Sequence, residues 1–171
     1  MIILGLDPGL ATTGYGIIRV EGSKLSLIDY GVFATTPDTA FSKRLLHIST
    51  MLSSLFDTHA IDEVAIEDLF FSTNKKTAML VAQARGVLVV TTEQSSIPIY
   101  SYKPNEIKLA VSGYGGADKL QVQCMVQRLL HLDHKPKPDD AADGLAIAIC
   151  HMNSRHIKHY ESRLNIVNNK K

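Results

Sequence analysis

Three apolar segments rich in β-branched residues crowd the first 34 positions: residues 2–6, 14–20 and 25–34. Turn-formers separate them, Asp7-Pro8-Gly9 and then Glu21-Gly22-Ser23. Parallel neighbours need a crossover of a dozen or more residues, whereas antiparallel ones need only a tight turn. The short spacing therefore predicts a three-stranded antiparallel meander.

Helical and extended patterns alternate after it. Leu45, Ile48, Leu52 and Leu55 recur at helical spacing, with Met51 and Phe56 widening the stripe, so residues 40–58 read as an amphipathic helix. Residues 63–67 read as a short buried strand ending in Glu67, 74–92 as a helix and 97–102 as a strand. Pro104 with Glu106 opens a short helix to about 111. A glycine-rich loop with Tyr114 follows, then Asp118 and Gln121 in the spacing of a capping box. A Pro/Lys linker, 135–138, precedes a last helix over 139–154. The expected organisation is one α/β domain, residues 1–154, and a flexible polar tail, 155–171.

A meander followed by alternating strands and helices implies a mixed five-stranded sheet with helices on both faces. Right-handed crossovers place the first and fourth strands side by side. Asp7 and Glu67, at the ends of those strands, become neighbours. The last helix adds Asp139, Asp140 and Asp143. Residues three or four apart share a helix face, so Asp143 aligns with Asp140 or with Asp139. An N-cap role, with about 0.3–1 kcal/mol from the helix dipole, accounts for one acid of the three. It does not account for Asp143, which sits deeper, ahead of an apolar run. Carboxylates that converge in a partly buried site repel one another, and a hard divalent cation such as Mg²⁺ removes that cost. Two such ions about 3.5–4 Å apart clamp the attacking and leaving oxygens of a phosphodiester.

Composition sets limits on the alternatives. Of 171 residues, 45% are hydrophobic and 20% charged, and no apolar run approaches the roughly 20 residues of a membrane helix. Cys124 and Cys150 are isolated, so neither a disulfide framework nor a zinc site is expected, and a cytoplasmic setting is. Residues 1–102 hold seven Lys/Arg against ten Asp/Glu (−3), and residues 103–171 hold eleven against seven (+4). The second half thus offers a basic surface suited to phosphates. His156 and His159 read as surface residues.

"ILGLDPGLATTGYGII", "VAIEDLFFSTNKKTA", "KPNEIKLAVSGYGGADKLQVQ" and "DDAADGLAIAI" together resemble the RuvC family of Holliday-junction resolvases, collinearly to about residue 152. The resemblance implies a ribonuclease H-like fold and a homodimeric, Mg²⁺-dependent endonuclease that nicks a four-way DNA junction symmetrically. One or two Mg²⁺ per subunit are implied, with Mn²⁺ an acceptable substitute, and the RuvAB branch-migration complex as a partner. It carries over Asp7, Glu67, Asp140 and Asp143 as catalytic, metal-holding acids, leaving Asp139 as the cap. Lys119 matches the family's active-site lysine, with Lys108 in a similar place. Phe70 matches its junction-stacking aromatic. Asn74, Lys75, Lys76 and Arg85 flank Phe70 as candidate phosphate contacts, and Tyr114 is a further candidate DNA contact. Two positions depart from the family: Asp68 replaces a neutral polar residue, and Gly144 stands where Ala is expected.

Two other readings share parts of this pattern. The opening stretch resembles the phosphate-binding hairpin of actin-like ATPases, but that class needs a second domain and a second phosphate loop. A ribonuclease H-like nuclease acting on structured RNA would share the acids, but not the "DAADGLAIAI" helix or the "GYGGADKLQVQ" loop.

Overall fold

In the computed structural model the backbone is described for residues 1–69 and 75–168, and side chains for 1–69 and 77–157. The order is β1 (Ile2–Asp7), β2 (Thr12–Glu21), β3 (Lys24–Ala34), α1 (Phe41–Thr58), β4 (Glu63–Glu67), α2 (Lys75–Gln94), β5 (Ile99–Tyr102), α3 (Pro104–Ser112), α4 (Lys119–Leu129) and α5 (Asp139–Asn168). The strands form one five-stranded sheet in the order β3-β2-β1-β4-β5. β1–β2 and β2–β3 are antiparallel; β1–β4 and β4–β5 are parallel. This is the expected meander with two parallel strands added by helical crossovers. Among the described residues, no helix is long and apolar enough to cross a membrane.

Alternation along the strands divides the core between two faces. Leu4, Leu6, Ile17, Val64 and Ile66 meet Ile48 and Leu52 of α1 and Ala84 and Leu88 of α2. Ile3, Ile18 and Ala65 face the other way, toward Ile107, Val111, Val122, Val126, Leu145 and Ile149 of α3–α5. Each such large side chain removed from water contributes about 1.5–3 kcal/mol.

The second face has an unusual joint. α5 lies on β1 and β2 with main chain against main chain. A Cβ on Gly14 would overlap the Asp140 carbonyl, and one on Gly5 the Gly144 carbonyl. A Cβ on Gly16 would come within 2.5 Å of the Leu145 nitrogen, and one on Gly144 within 2.5 Å of the Tyr15 carbonyl carbon. Glycine is required here by close approach. Gly144, which stands where the family resemblance leads one to expect Ala, is the glycine that α5 contributes to this seam.

A polar staple holds the same helix farther along. His151 is fully buried, with Nε2 2.8 Å from Glu63 Oε2 and Nδ1 2.7 Å from the Tyr102 hydroxyl. Its ring also stacks on Tyr100 at 4.8 Å between centroids. The imidazole thus joins α5 to both β4 and β5. α5 itself does not end near 154 but continues to Asn168. Residues 152–168 contain neither Gly nor Pro, so polarity alone gave no reason for the helix to stop.

Candidate active site

Asp7 and Glu67 are the last residues of β1 and β4, two adjacent parallel strands. They stand one position beyond the Leu6–Ile66 pair of the ladder, at the carboxyl ends of the strands, where open α/β sheets bind ligands. Pro8 and Gly9 turn the chain away from Asp7, and Thr13 Oγ1 pins that turn by donating to the Gly9 carbonyl at 2.6 Å. The glycine seam then lowers the start of α5 onto the same strand ends, since Gly14 is both the ladder partner of Asp7 and the contact of Asp140.

As a result, Asp7, Asp140 and Asp143 each offer a carboxylate oxygen within 4.8 Å of the others, all three half-buried. Glu67 closes the group, accepting a hydrogen bond from protonated Asp7. The crowding has the expected electrostatic result. Burial first, then the charges of Glu67, Asp143 and Asp140, push Asp7 up to about 8. Burial and Asp143 raise Glu67, against the pull of the Asp7 hydrogen bond and of Lys108. Burial raises Asp143 as well, although Lys119 partly offsets it. An all-oxygen donor set that repels itself is the chemistry a hard divalent cation satisfies. The four acids therefore fit a magnesium-type ion.

Lys119, the first residue of α4, stands 3.1 Å from Asp143 Oδ2 and 3.6 Å from Asp139 Oδ2. Burial lowers its pKa, but Asp143, with Asp139 and Asp140, raises it on balance, so the ammonium stays charged. The capping box behind it is present: Gln121 N–H donates to Asp118 Oδ1 at 2.8 Å, and Asp118 N–H to Gln121 Oε1 at 2.9 Å. Asp7, Glu67, Lys108, Lys119 and Asp143 line one cleft of about 290 Å³, floored by Ile107, Ala146 and Ile147.

One expectation changes. Asp139 does not cap α5, because it is already the first helical residue and its Oδ1 accepts from Gln123 Nε2 at 2.9 Å. It ties α4 to α5 instead. Arg85, a candidate phosphate contact in the sequence, is also held from within the chain. Nε donates to the Glu67 carbonyl at 3.1 Å, and one terminal nitrogen to Ser101 Oγ at 2.7 Å, while the same nitrogen pairs with Asp68 Oδ1 at 3.4 Å. Arg85 is a brace for the strand end that carries Glu67. The unexpected acid, Asp68, is thereby matched by Arg85, and its N–H donates to the Tyr102 carbonyl at 2.8 Å.

Tyr114 is exposed in the glycine-rich loop. Phe70 and Asn74, and the side chains of Lys75 and Lys76, lie outside the described residues. Sequence reasoning missed Gln123, although Lys119 and Gln123 are four apart on one face of α4 and both reach the first turn of α5.

The family model for crossover junction endodeoxyribonuclease RuvC matches residues 3–151, which include all four acids and Lys119. The chain belongs to the RuvC family. It is 50% identical over 158 residues to the crossover junction endodeoxyribonuclease RuvC of Alkaliphilus metalliredigens, covering 92% of this chain and 96% of that one. The corresponding RuvC of Caldicellulosiruptor saccharolyticus is 50% identical over 153 residues, 89% and 92% of the two chains. Among solved structures, T. thermophilus RuvC in complex with a Holliday junction substrate superposes with a TM-score of 0.87 at 31% identity, over 92% of this chain and 96% of that one. The ribonuclease H-like fold of RuvC is thus the fold of this chain.

Proposed function

We infer that this chain resolves four-way DNA junctions, hydrolysing one phosphodiester in each of two strands by paired symmetric nicks. The observation that carries the reading is the convergence of Asp7, Asp140 and Asp143 within 4.8 Å, with Glu67 bonded to Asp7, in a chain of RuvC type. The carboxylate set supports Mg²⁺ as the resident ion, one or two per subunit, with Mn²⁺ as a substitute. Asp7, Glu67, Asp140 and Asp143 hold it. When bound, the ion supplies Lewis-acid stabilisation of charge on the phosphoryl oxygens.

The chain's own groups do the rest. Asp143, half exposed at the rim, is placed to orient a water for attack. Lys119 Nζ, one residue beyond the Asp118 cap, faces the charge that grows in the transition state. Arg85 holds the Glu67 carbonyl and so fixes the angle at which that carboxylate enters the cleft. Lys108, and beyond the cleft Tyr114, supply further DNA contacts; Phe70, Asn74, Lys75 and Lys76 are assigned to the junction by resemblance to the family.

Two nicks of like geometry call for two copies of the cleft, and a two-fold homodimer provides them. The outward stripe of α2 supports that assembly. Met79, Gln83, Gly86 and Val90 lie on one exposed line without a charge, and nothing stands within 4 Å of a Cβ at Gly86. A branch-migration complex of the RuvAB kind is the partner that delivers the junction.

The test compares a labelled four-way junction, a plain duplex and an RNA–DNA hybrid, with and without Mg²⁺. Paired, Mg²⁺-dependent nicks confined to the junction are expected. Preferential cutting of the hybrid would replace this reading with a ribonuclease.

A further inference from the structure

A second hollow adjoins the acidic cleft and has the opposite character. Lys103, Pro104, Asn105, Lys108 and Gly115 line about 380 Å³, with Pro104 and Lys108 shared between the two spaces. No carboxylate is among these lining residues. Glu106, the nearest acid along the chain, is turned back to accept the Lys103 N–H at 2.7 Å, which closes the first turn of α3. Lys103 and Asn105 are exposed, whereas Lys108 is half-buried and close enough to Glu67 to lower its pKa. Lys108 therefore stands at the boundary between a space lined by carboxylates and a space lined by basic and amide groups. A DNA strand whose scissile phosphate sits over the acids must carry its next phosphates away from them. The wall formed by Pro104 and Lys108 gives it a route on which positive charge continues.

We propose that the hollow formed by Lys103, Asn105, Lys108 and Gly115 is a second phosphate subsite, holding a backbone phosphate of the cleaved strand beside the scissile one. This rests on reading the chain as a junction nuclease and deepens it. The two ammonium groups supply charge and the Asn105 amide supplies a directed N–H. The positive end of the α3 dipole adds to both. Gly115 lines the space with no side chain of its own, and a Cβ there would stand 3.5 Å from the Asn105 carbonyl oxygen, an ordinary contact. The subsite acts on binding, since neither Lys103 nor Asn105 reaches the acids.

The test uses the full chain and a labelled four-way junction, with binding followed by anisotropy across a salt series and cleavage followed under single-turnover, saturating conditions. The Lys103→Ala/Asn105→Ala variant is expected to bind about tenfold more weakly, and its salt dependence to lose about one unit of slope. Its saturated cleavage rate stays within about twofold of wild type, as expected when a positioning phosphate contact is lost outside the reacting centre. Gly115→Val is expected to weaken binding with the slope unchanged, because it removes space and no charge. Lys24→Ala, at the β2–β3 hairpin on the far end of those strands, is the control for general loss of charge. A double variant indistinguishable from Lys24→Ala, or one impaired only in saturated rate, overturns the subsite. Wild-type protein that nicks the junction while the double variant behaves normally overturns the subsite alone. Wild-type protein that leaves the junction intact overturns the parent reading and the subsite with it.

Discussion

Gly14 of β2 and Asp140 of α5 touch through their main chains, and the Asp140 carbonyl occupies the place a Cβ on residue 14 would take. Gly14 is also the ladder partner of Asp7. The contact therefore sets how far the acids of the helix stand from the acid of the strand. Gly14→Ala is expected to cost about 1–3 kcal/mol by overpacking. The same variant should lose cation affinity, because the lifted helix carries Asp140 and Asp143 with it. Thermal melts and calorimetric titration with Mn²⁺ measure both. A variant that keeps wild-type cation affinity would show that the seam does not govern the acid spacing.

The crowded acids give the cation-free protein a distinctive pH response. Folded Asp7 holds its proton up to about pH 8, whereas the unfolded residue releases it near 3.8. Between those values the folded state binds the extra proton, so stability falls as pH rises and levels off above about 8. Added Mg²⁺ should stabilise the protein more at pH 8 than at pH 6, since it competes with that proton. Asp7→Asn should flatten the profile and raise cation-free stability at pH 8 by about 2 kcal/mol, roughly 4–8 °C in Tm, while abolishing cleavage. A lower Tm for Asp7→Asn at pH 8 would contradict the repulsion inferred at this site.

Glu67→Gln separates cutting from binding. The amide removes one negative oxygen from the cluster but leaves the basic surface intact. Cleavage should fall below detection while junction affinity stays within about threefold, since the phosphate contacts that carry affinity are untouched. Anisotropy beside a gel assay distinguishes the two, and parallel loss of both would place Glu67 on DNA rather than on the ion.

Lys119→Ala tests a group that, besides its resting pairs with Asp143 and Asp139, faces the charge that grows as the reaction proceeds. A loss of about 10²–10³ in the saturated rate is expected, with the fold retained, because Asp118 and Gln121 still cap α4. Gln123→Ala should do less, loosening Asp139 without removing a charge from the cleft. Equal effects from the two substitutions would make Lys119 a tether between helices.

His151→Leu is expected to destabilise the protein by about 3 kcal/mol, since Glu63 and the Tyr102 hydroxyl both lose a partner inside the core. Chemical denaturation measures it. A change under 1 kcal/mol would mean that the staple adds nothing beyond packing.

The parts visible in the sequence were those with a local cause. Apolar, β-branched runs and the turn residues between them located β1, β2 and β3, and the crossover rule then brought Asp7 to Glu67 across sixty positions. The Asp118–Gln121 box is a pattern of four residues and needs nothing from elsewhere. What stayed hidden depends on partners distant along the chain. Asp139 read as a cap because its partner, Gln123, lies on another helix. The hold of Arg85 on the strand end of Glu67 left no local mark, because its acceptors lie on β4 and β5. His151 sits within an apolar helix face, and only its neighbours Glu63 and Tyr102 give it a role. Gly144 stood out only as a departure from the expected Ala, since the backbone of Tyr15 beneath it has no mark in the sequence.

The seam between α5 and the sheet also bears on how this site persists while the rest of the core changes. Where helix and strand meet through side chains, the gap between them follows each substitution in volume. Here the gap is a thickness of peptide groups, which every sequence makes in one size. Drift among the leucines and isoleucines of either face can reshape the core and leave the acids at the same separation, so long as the glycines stay. Catalytic geometry in this chain is a property of covalent backbone dimensions, with the side-chain interior free to vary around it.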